Sequence, residues 1–191
     1  AAHGFGQIDY AVPQLKADFV GINLHKWIGA PVGVGAMYVR RGRVADLDPY
    51  MGETDDGRVG SRVHTGTVNF AAYLALPEAI ALHQRIGADN KQARLRYLRE
   101  RWTLPARQMA HIEVLSSPDP ALASALASFR LRGRTSVADN IALQKRLLDE
   151  HRVFTTHRDG LDSGACVRVT PSVFTRPQQM DALVKALSAL A

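Results

Sequence analysis

An α/β fold in two parts is what this 191-residue sequence predicts: the end of a larger, mostly parallel sheet, followed by a small C-terminal α/β (α+β) domain. Three features point there. Residues 17–23 and 35–40 are short apolar runs bounded by glycines, the pattern of strands buried within a sheet. Strand-like and helical stretches alternate through the second half of the chain. With 46% hydrophobic residues the chain can bury a real core, yet its length sits at the upper edge of what one domain usually holds.

The two apolar runs are joined by "GAPVGVG" (29–35), a turn-rich connection, and "YMGETDDGRVGSRVHTG" (50–66) is a loop rich in Gly, Asp and Arg. From Val68 to about Arg101 the pattern turns helical, broken near "IGADN" by Gly87 and the Asp89-Asn90 pair, with Pro77 expected to kink the first helix. A second character begins near Pro105, which divides the chain into 1–104 and 105–191. "HIEVLSS" (111–117) and "LASFRLRG" (126–133) read as strands, and 136–150 as a helix with Val137, Ile141, Leu147 and Leu148 on one face. "RVFTTH" and "CVRVT" are two more strands. The last helix is expected to start at Thr175 as N-cap, with Gln178 as its capping-box partner and Pro177 in the first turn. Its apolar face would be Met180, Leu183, Val184, Leu187 and Leu190.

The net charge of +6 and the pI near 9.8 raise the question of nucleic acid. The densest group of arginines, Arg94, Arg96, Arg99 and Arg101, surrounds a helical stripe of Leu95, Leu98 and Trp102, so a solvated helix face is expected instead of a phosphate-binding patch. No apolar run approaches the ~20 residues that span a bilayer, so no membrane partner is expected. The start "AAHGFGQIDY" lacks an initiator methionine and a signal-peptide pattern, and sequence is expected to precede it. Cys166 is the lone cysteine and gives no sign of an oxidising compartment, which favours the cytoplasm, although a leader upstream of residue 1 would leave localisation open. His64, His83, His111, His151 and His157 show no metal-ligand spacing and read as surface or loop residues.

One residue stands out. In "ADFVGINLHKWIGAPVGVGAMYV" (17–39), Lys26 falls at the junction of an apolar strand and a glycine-rich turn, directly after His25. A lysine at a strand end can simply snorkel to the surface. The sharper expectation is a desolvated amine with a lowered pKa, suited to forming a Schiff base with a carbonyl.

This stretch, extended to "VRRG", resembles the lysine region of class V aminotransferase-type, fold type I pyridoxal-phosphate enzymes, and within them the isopenicillin-N-epimerase-like branch, related to the cysteine desulfurases. Three further segments agree in order: "AAHGFGQID", "HTGTVNF" and "CVRVTPSVFTRPQQMDALVKAL". The resemblance covers the whole of this chain but only the C-terminal half of a family protein. It implies a PLP-transferase-like large-domain sheet, pyridoxal 5'-phosphate as cofactor, and Lys26 as the carrier of the internal aldimine. Asn23 and His25 would line the phosphate side. His3 would lie by the ring's 3'-oxygen, with the aspartate that pairs with the ring nitrogen immediately before residue 1. Thr67 would reach the cofactor phosphate of a partner subunit, a role compatible with capping the helix that begins near Val68. Arg168 would hold the substrate α-carboxylate, and Arg58 or Arg62 would touch substrate.

Two functions of different class follow. In one, the protein acts at the α-carbon of an amino acid, by epimerase-, aminotransferase- or lyase-like chemistry, as a homodimer or with a companion N-terminal half. In the other, the chain is a non-catalytic half that lacks the cofactor aspartate and phosphate loop. Desulfuration through Cys166 is disfavoured, because an apolar strand suits a packing thiol better than a reactive one, while selenocysteine-lyase-like chemistry without an obligate thiol stays open. A basic binding domain is the third option.

Overall fold

The computed structural model describes residues 1–63 and 66–191, which leaves His64 outside the described residues. By its contacts the chain forms two compact units, Ala1–Asp89 and Asn90–Ala191. The second of these includes most of the long third helix, which buries Leu98, Trp102 and Ala106 in its core.

In the first unit, β1 (Phe19–Asn23) pairs with β2 (Gly35–Val39). The mostly parallel sheet expected from sequence is represented here by an antiparallel pair, with Phe19 opposite Val39 and Asn23 opposite Gly35. Burial alternates along β1: Val20 and Ile22 are buried, Phe19 and Gly21 exposed. Within this unit only one face of β1 is covered. Beneath it lies a cluster of Val20, Ile22, Leu24, Ile28, Ala30, Val34 and Ala72.

The helical stretch opens with a single turn, α1 (Phe70–Leu74), followed by α2 (Leu76–Ile86). Pro77 does not kink a continuous helix. The chain breaks at Ala75, and Pro77 sits in the first turn of α2, where its missing N–H costs no hydrogen bond. Thr67 is not the cap: Asn69 Oδ1 accepts from the Ala72 N–H at 3.2 Å. The long α3 (Ala88–Ala106) follows Gly87 and runs on through Pro105.

The second unit holds a four-stranded sheet of β3 (Ile112–Val114), β4 (Ala127–Leu131), β5 (Thr156–Arg158) and β6 (Cys166–Val169). The order is β3-β4-β6-β5 and every ladder is antiparallel. Two helices complete it, α4 (Val137–His151) and α5 (Pro177–Ser188). The core joins Leu98 and Trp102 of α3, Phe129 and Val167 of the sheet, Leu143 and Leu147 of α4, and Leu183 and Leu187 of α5. Trp102 meets Phe129 edge to face, with centroids 5.7 Å apart.

Two expectations shift by a residue or a face. In α4 the buried stripe is Asn140, Leu143 and Leu147, while Val137, Ile141 and Leu148 are exposed. A polar residue hid this face, because Asn140 is buried by donating its amide to the carbonyls of Arg134 and Ser136. In α5 the N-cap is Arg176 and not Thr175, and Gln179 Oε1, not Gln178, accepts the Arg176 N–H at 2.8 Å. Thr175 Oγ1 accepts from the Ser172 N–H of the preceding turn instead. The apolar face of α5 is as expected: Met180, Leu183, Leu187 and Leu190 are buried and Val184 packs against them.

The arginines of α3 are not simply a solvated face: Arg99 is buried, Arg94 and Arg96 are half-buried, and Arg101 is exposed. Arg94 donates to Thr175 O (3.0 Å), Arg96 to Pro120 O (3.4 Å) and Arg99 to Ser117 O (2.5 Å). Arg101 makes a two-pronged pair with Asp181 at 2.7 and 2.8 Å. These guanidiniums tie loops and α5 to α3.

Gly164 marks the tightest backbone approach in the second unit. It has φ +101°, and a Cβ there would stand 2.7 Å from Thr135 O and Cβ, beside the Ala165 N–H bond to Thr135 O. Gly133 also has positive φ but faces open space. Gly164→Ala is therefore expected to lower stability by roughly 3 kcal/mol or more, against about 1–2 kcal/mol for Gly133→Ala, measured by urea unfolding.

Candidate active site

Lys26 lies on the turn that leaves β1. Leu24 and Ile28, four residues apart at its ends, are both buried, and the Ala30 N–H bond to Leu24 O (3.1 Å) closes it. Burying both ends turns the residue between them outward. Lys26 is exposed and makes no hydrogen bond or ion pair with the described residues. The desolvated setting expected from the apolar flanks is not supplied within this chain: the flanks bury themselves and leave the lysine in solvent.

Its neighbours are better defined. The Ala1 nitrogen donates to Gly21 O at 2.8 Å, which lays the first turn of the chain beside β1. There Trp27 Nε1 donates to His3 Nδ1 at 3.3 Å, with the rings edge to face. An indole nitrogen is only a donor, so His3 accepts at Nδ1 and carries its proton on Nε2. The structure thus brings His3 to the lysine turn. Trp27 closes the N-L-H-K-W stretch of the resemblance, directly after Lys26, and no role is expected for it from sequence. His25, half-buried, keeps Nδ1 buried without a hydrogen-bond partner among the described residues. Asn23 ends β1 opposite Gly35.

Thr67 is exposed and lines a cleft of about 270 Å³ with Val32, Gly33 and Val34 of the glycine-rich turn and Asn69 and Tyr73 of the α1 region. Among the described residues no hydrogen bond or ion pair joins Thr67 to His25 or Lys26. The helix after it is a single turn, so its dipole adds little to anion binding.

The two loop arginines separate clearly. The Arg62 side chain is only 4% exposed, ion-paired to Asp55 at 2.6 Å and donating through Nε to Val44 O at 3.0 Å. It fastens the loop. Arg58 is 84% exposed, beside Asp56.

In the second unit, Arg168 sits on β6 between Ser128 of β4 and Thr156 of β5. It is half-buried, its Nε is buried without a partner, and burial, then the nearby Arg158 charge, push it below the ordinary arginine value. Cys166, two residues earlier, is 1% exposed, as a packing thiol should be. Among the described residues no group of three or more His, Cys, Asp or Glu is placed to hold a metal ion, and no helix is long and apolar enough to cross a membrane.

These residues have the donor chemistry that pyridoxal phosphate requires. In the first unit, an exposed primary amine is present for the aldehyde, with a neutral histidine and the unpartnered Nδ1 of His25 near it, and the Thr67 hydroxyl is available for anions.

The comparisons agree in kind. The family model described as aminotransferase class-V matches residues 1–162. Isopenicillin N epimerase of Streptomyces clavuligerus is 27% identical over 99% of this chain and 51% of its own length. Among solved structures, a cysteine desulfurase from Escherichia coli superposes with a TM-score of 0.80 at 18% identity, over 98% of this chain and 49% of that one. A cystine C-S lyase in complex with cysteine persulfide gives 0.78 at 21% identity, over 97% and 50%. The chain spans about half the length of the curated relatives it matches in full.

Asp55 reports the loop. Its carboxyl is held below the usual range by the Arg62 hydrogen bond and then by the Gly57 N–H. A depressed carboxylate pKa stabilises above the unfolded value, near 4, and the contribution is lost as pH falls through the lower folded value. Amide exchange at Gly57, relative to its intrinsic rate, should therefore rise as pH falls below about 4, and Arg62→Ala should raise it already at neutral pH.

Proposed function

The chain belongs to the class V aminotransferase family, whose cofactor is pyridoxal phosphate, and we propose that it is the C-terminal half of an enzyme acting at the α-carbon of an amino acid, with Lys26 as the residue that bonds the cofactor. The observation that carries this is the Lys26 turn. An exposed, unpaired amine stands on a turn anchored at both ends and braced by His3 through Trp27.

When bound, the cofactor supplies an aldehyde for amines and a ring that accepts an electron pair from the α-carbon. The chain's own groups divide the remaining work. The Lys26 amine, once free, removes or returns the proton at the α-carbon. His3, whose Nδ1 accepts from Trp27, would lie by the ring oxygen. Asn23 and His25 would line the phosphate side, and the Thr67 hydroxyl would donate to a phosphate oxygen of the cofactor held by a partner subunit. Arg168 holds the substrate carboxylate, with a guanidinium whose shape suits it. Epimerase-, aminotransferase- and lyase-like outcomes share these steps, and selenocysteine-lyase-like cleavage needs no thiol beyond them.

A homodimer, or a companion N-terminal half, fits the exposed apolar side chains of the first unit. Phe19 and Met37 on the ribbon, Val32 in the turn, and Phe70 and Leu74 of α1 are all exposed. The same exposure, with that of Lys26, favours a second reading in which the chain alone is a non-catalytic half.

Borohydride reduction in the presence of pyridoxal phosphate, followed by peptide mapping, separates the two. The expected result is cofactor mass on the Lys26 peptide alone, and none there in Lys26→Ala. Labelling spread evenly over Lys16, Lys145 and Lys185, or absent, would overturn the catalytic reading for this chain.

A further inference from the structure

The second unit's sheet has two faces. Val167, Val169, Phe129 and Ile112 point into the helical core. Residues directly opposite in a ladder share a face, so the pairs Glu113–Arg130, Arg158–Cys166 and Thr156–Arg168 place Glu113, Arg130, Arg158, Cys166 and Arg168 on the other side. That side carries three guanidiniums and one carboxylate.

The carboxylate is already taken. Arg130 donates to Glu113 at 2.8 Å and to Ser163 O at 2.6 Å. Arg158 and Arg168, diagonal neighbours across β5 and β6, have no carboxylate within ion-pair distance among the described residues. Arg158 is exposed and donates one N–H to His157 O at 2.7 Å, leaving the rest of its fork for solvent or a ligand. Arg168 is half-buried with Nε unpartnered, and the Arg158 charge acts on it. Two cations set side by side on a partly buried sheet face repel each other until an anion neutralises them.

We propose that Arg158 and Arg168 form a two-guanidinium pocket, and that the amino acid it receives carries a second negative group, a carboxylate, sulfinate or sulfonate, held by Arg158 while Arg168 holds the α-carboxylate. The proposal rests on the reading of Arg168 given under Proposed function and extends it to substrate class. Arg158 becomes a specificity-determining residue. A substrate with an uncharged side chain leaves its guanidinium unmatched, whereas a dianion satisfies both forks.

The test uses the full chain without cofactor, with acetate and succinate as probes, in calorimetric or ligand-observed titrations at fixed ionic strength. Succinate is expected to bind about tenfold tighter than acetate, the scale of one added charge-assisted contact. Arg158→Gln should reduce succinate to the affinity of acetate and leave acetate unchanged, with Arg158→Lys intermediate. Arg41→Gln, an exposed arginine elsewhere, should change neither. The proposal is overturned if Arg158→Gln leaves succinate binding intact, if it weakens both probes equally, or if Arg41→Gln weakens succinate as much. Retention of acetate binding in Arg168→Gln would instead strike the carboxylate role of Arg168 itself, which separates that failure from this one.

Discussion

The burial of Leu24 and Ile28 at the two ends of one turn is the constraint on which the first unit's chemistry depends. Each side chain is worth about 1.5–3 kcal/mol when removed from water, and both join the cluster under the β1–β2 pair. With the ends pinned, the three residues between them have no freedom to exchange places. His25 is half-buried, Lys26 faces outward and Trp27 reaches His3. A lysine delivered by a strand end alone would sweep a wide volume. Here its backbone is fixed, and only the four-carbon stem is left to move.

The second unit solves a different problem, how to keep many guanidiniums on a small α/β body. Arg94, Arg96, Arg99 and Arg101 each find a carbonyl or carboxylate partner. Arg130 does the same on the sheet, through Glu113 and Ser163. Partnered charges of this kind fix loops in place and are engaged within the unit. On that sheet face Arg130 has a carboxylate in Glu113, whereas Arg158 and Arg168 have none within ion-pair distance among the described residues.

Much of the fold was legible because its signals are local. The glycine-bounded runs became β1 and β2, the strand-like stretches after residue 110 became the four-stranded sheet, and Met180, Leu183, Leu187 and Leu190 formed the buried face of α5. Misses came where a polar or tertiary partner outweighed the pattern. Asn140 took an inward position on α4 because two carbonyls met its amide. The N-cap of α5 moved to Arg176 because Thr175 was held by the turn before it. Arg62 is held by Asp55 and by the Val44 carbonyl, partners that its place in the loop does not announce.

The sequence by itself determined the α/β class, the family and the order of its motifs, because strand and helix periodicity and short motifs are written in neighbouring residues. Only the tertiary structure decided which face each residue occupies and what it meets there. The apolar letters around Lys26 say nothing of whether they cover it, and the fold turns them inward and the amine outward. The pairing of His3 with Trp27, and of Arg158 with Arg168 across a ladder, likewise depends on register, which brings together residues that no local pattern connects.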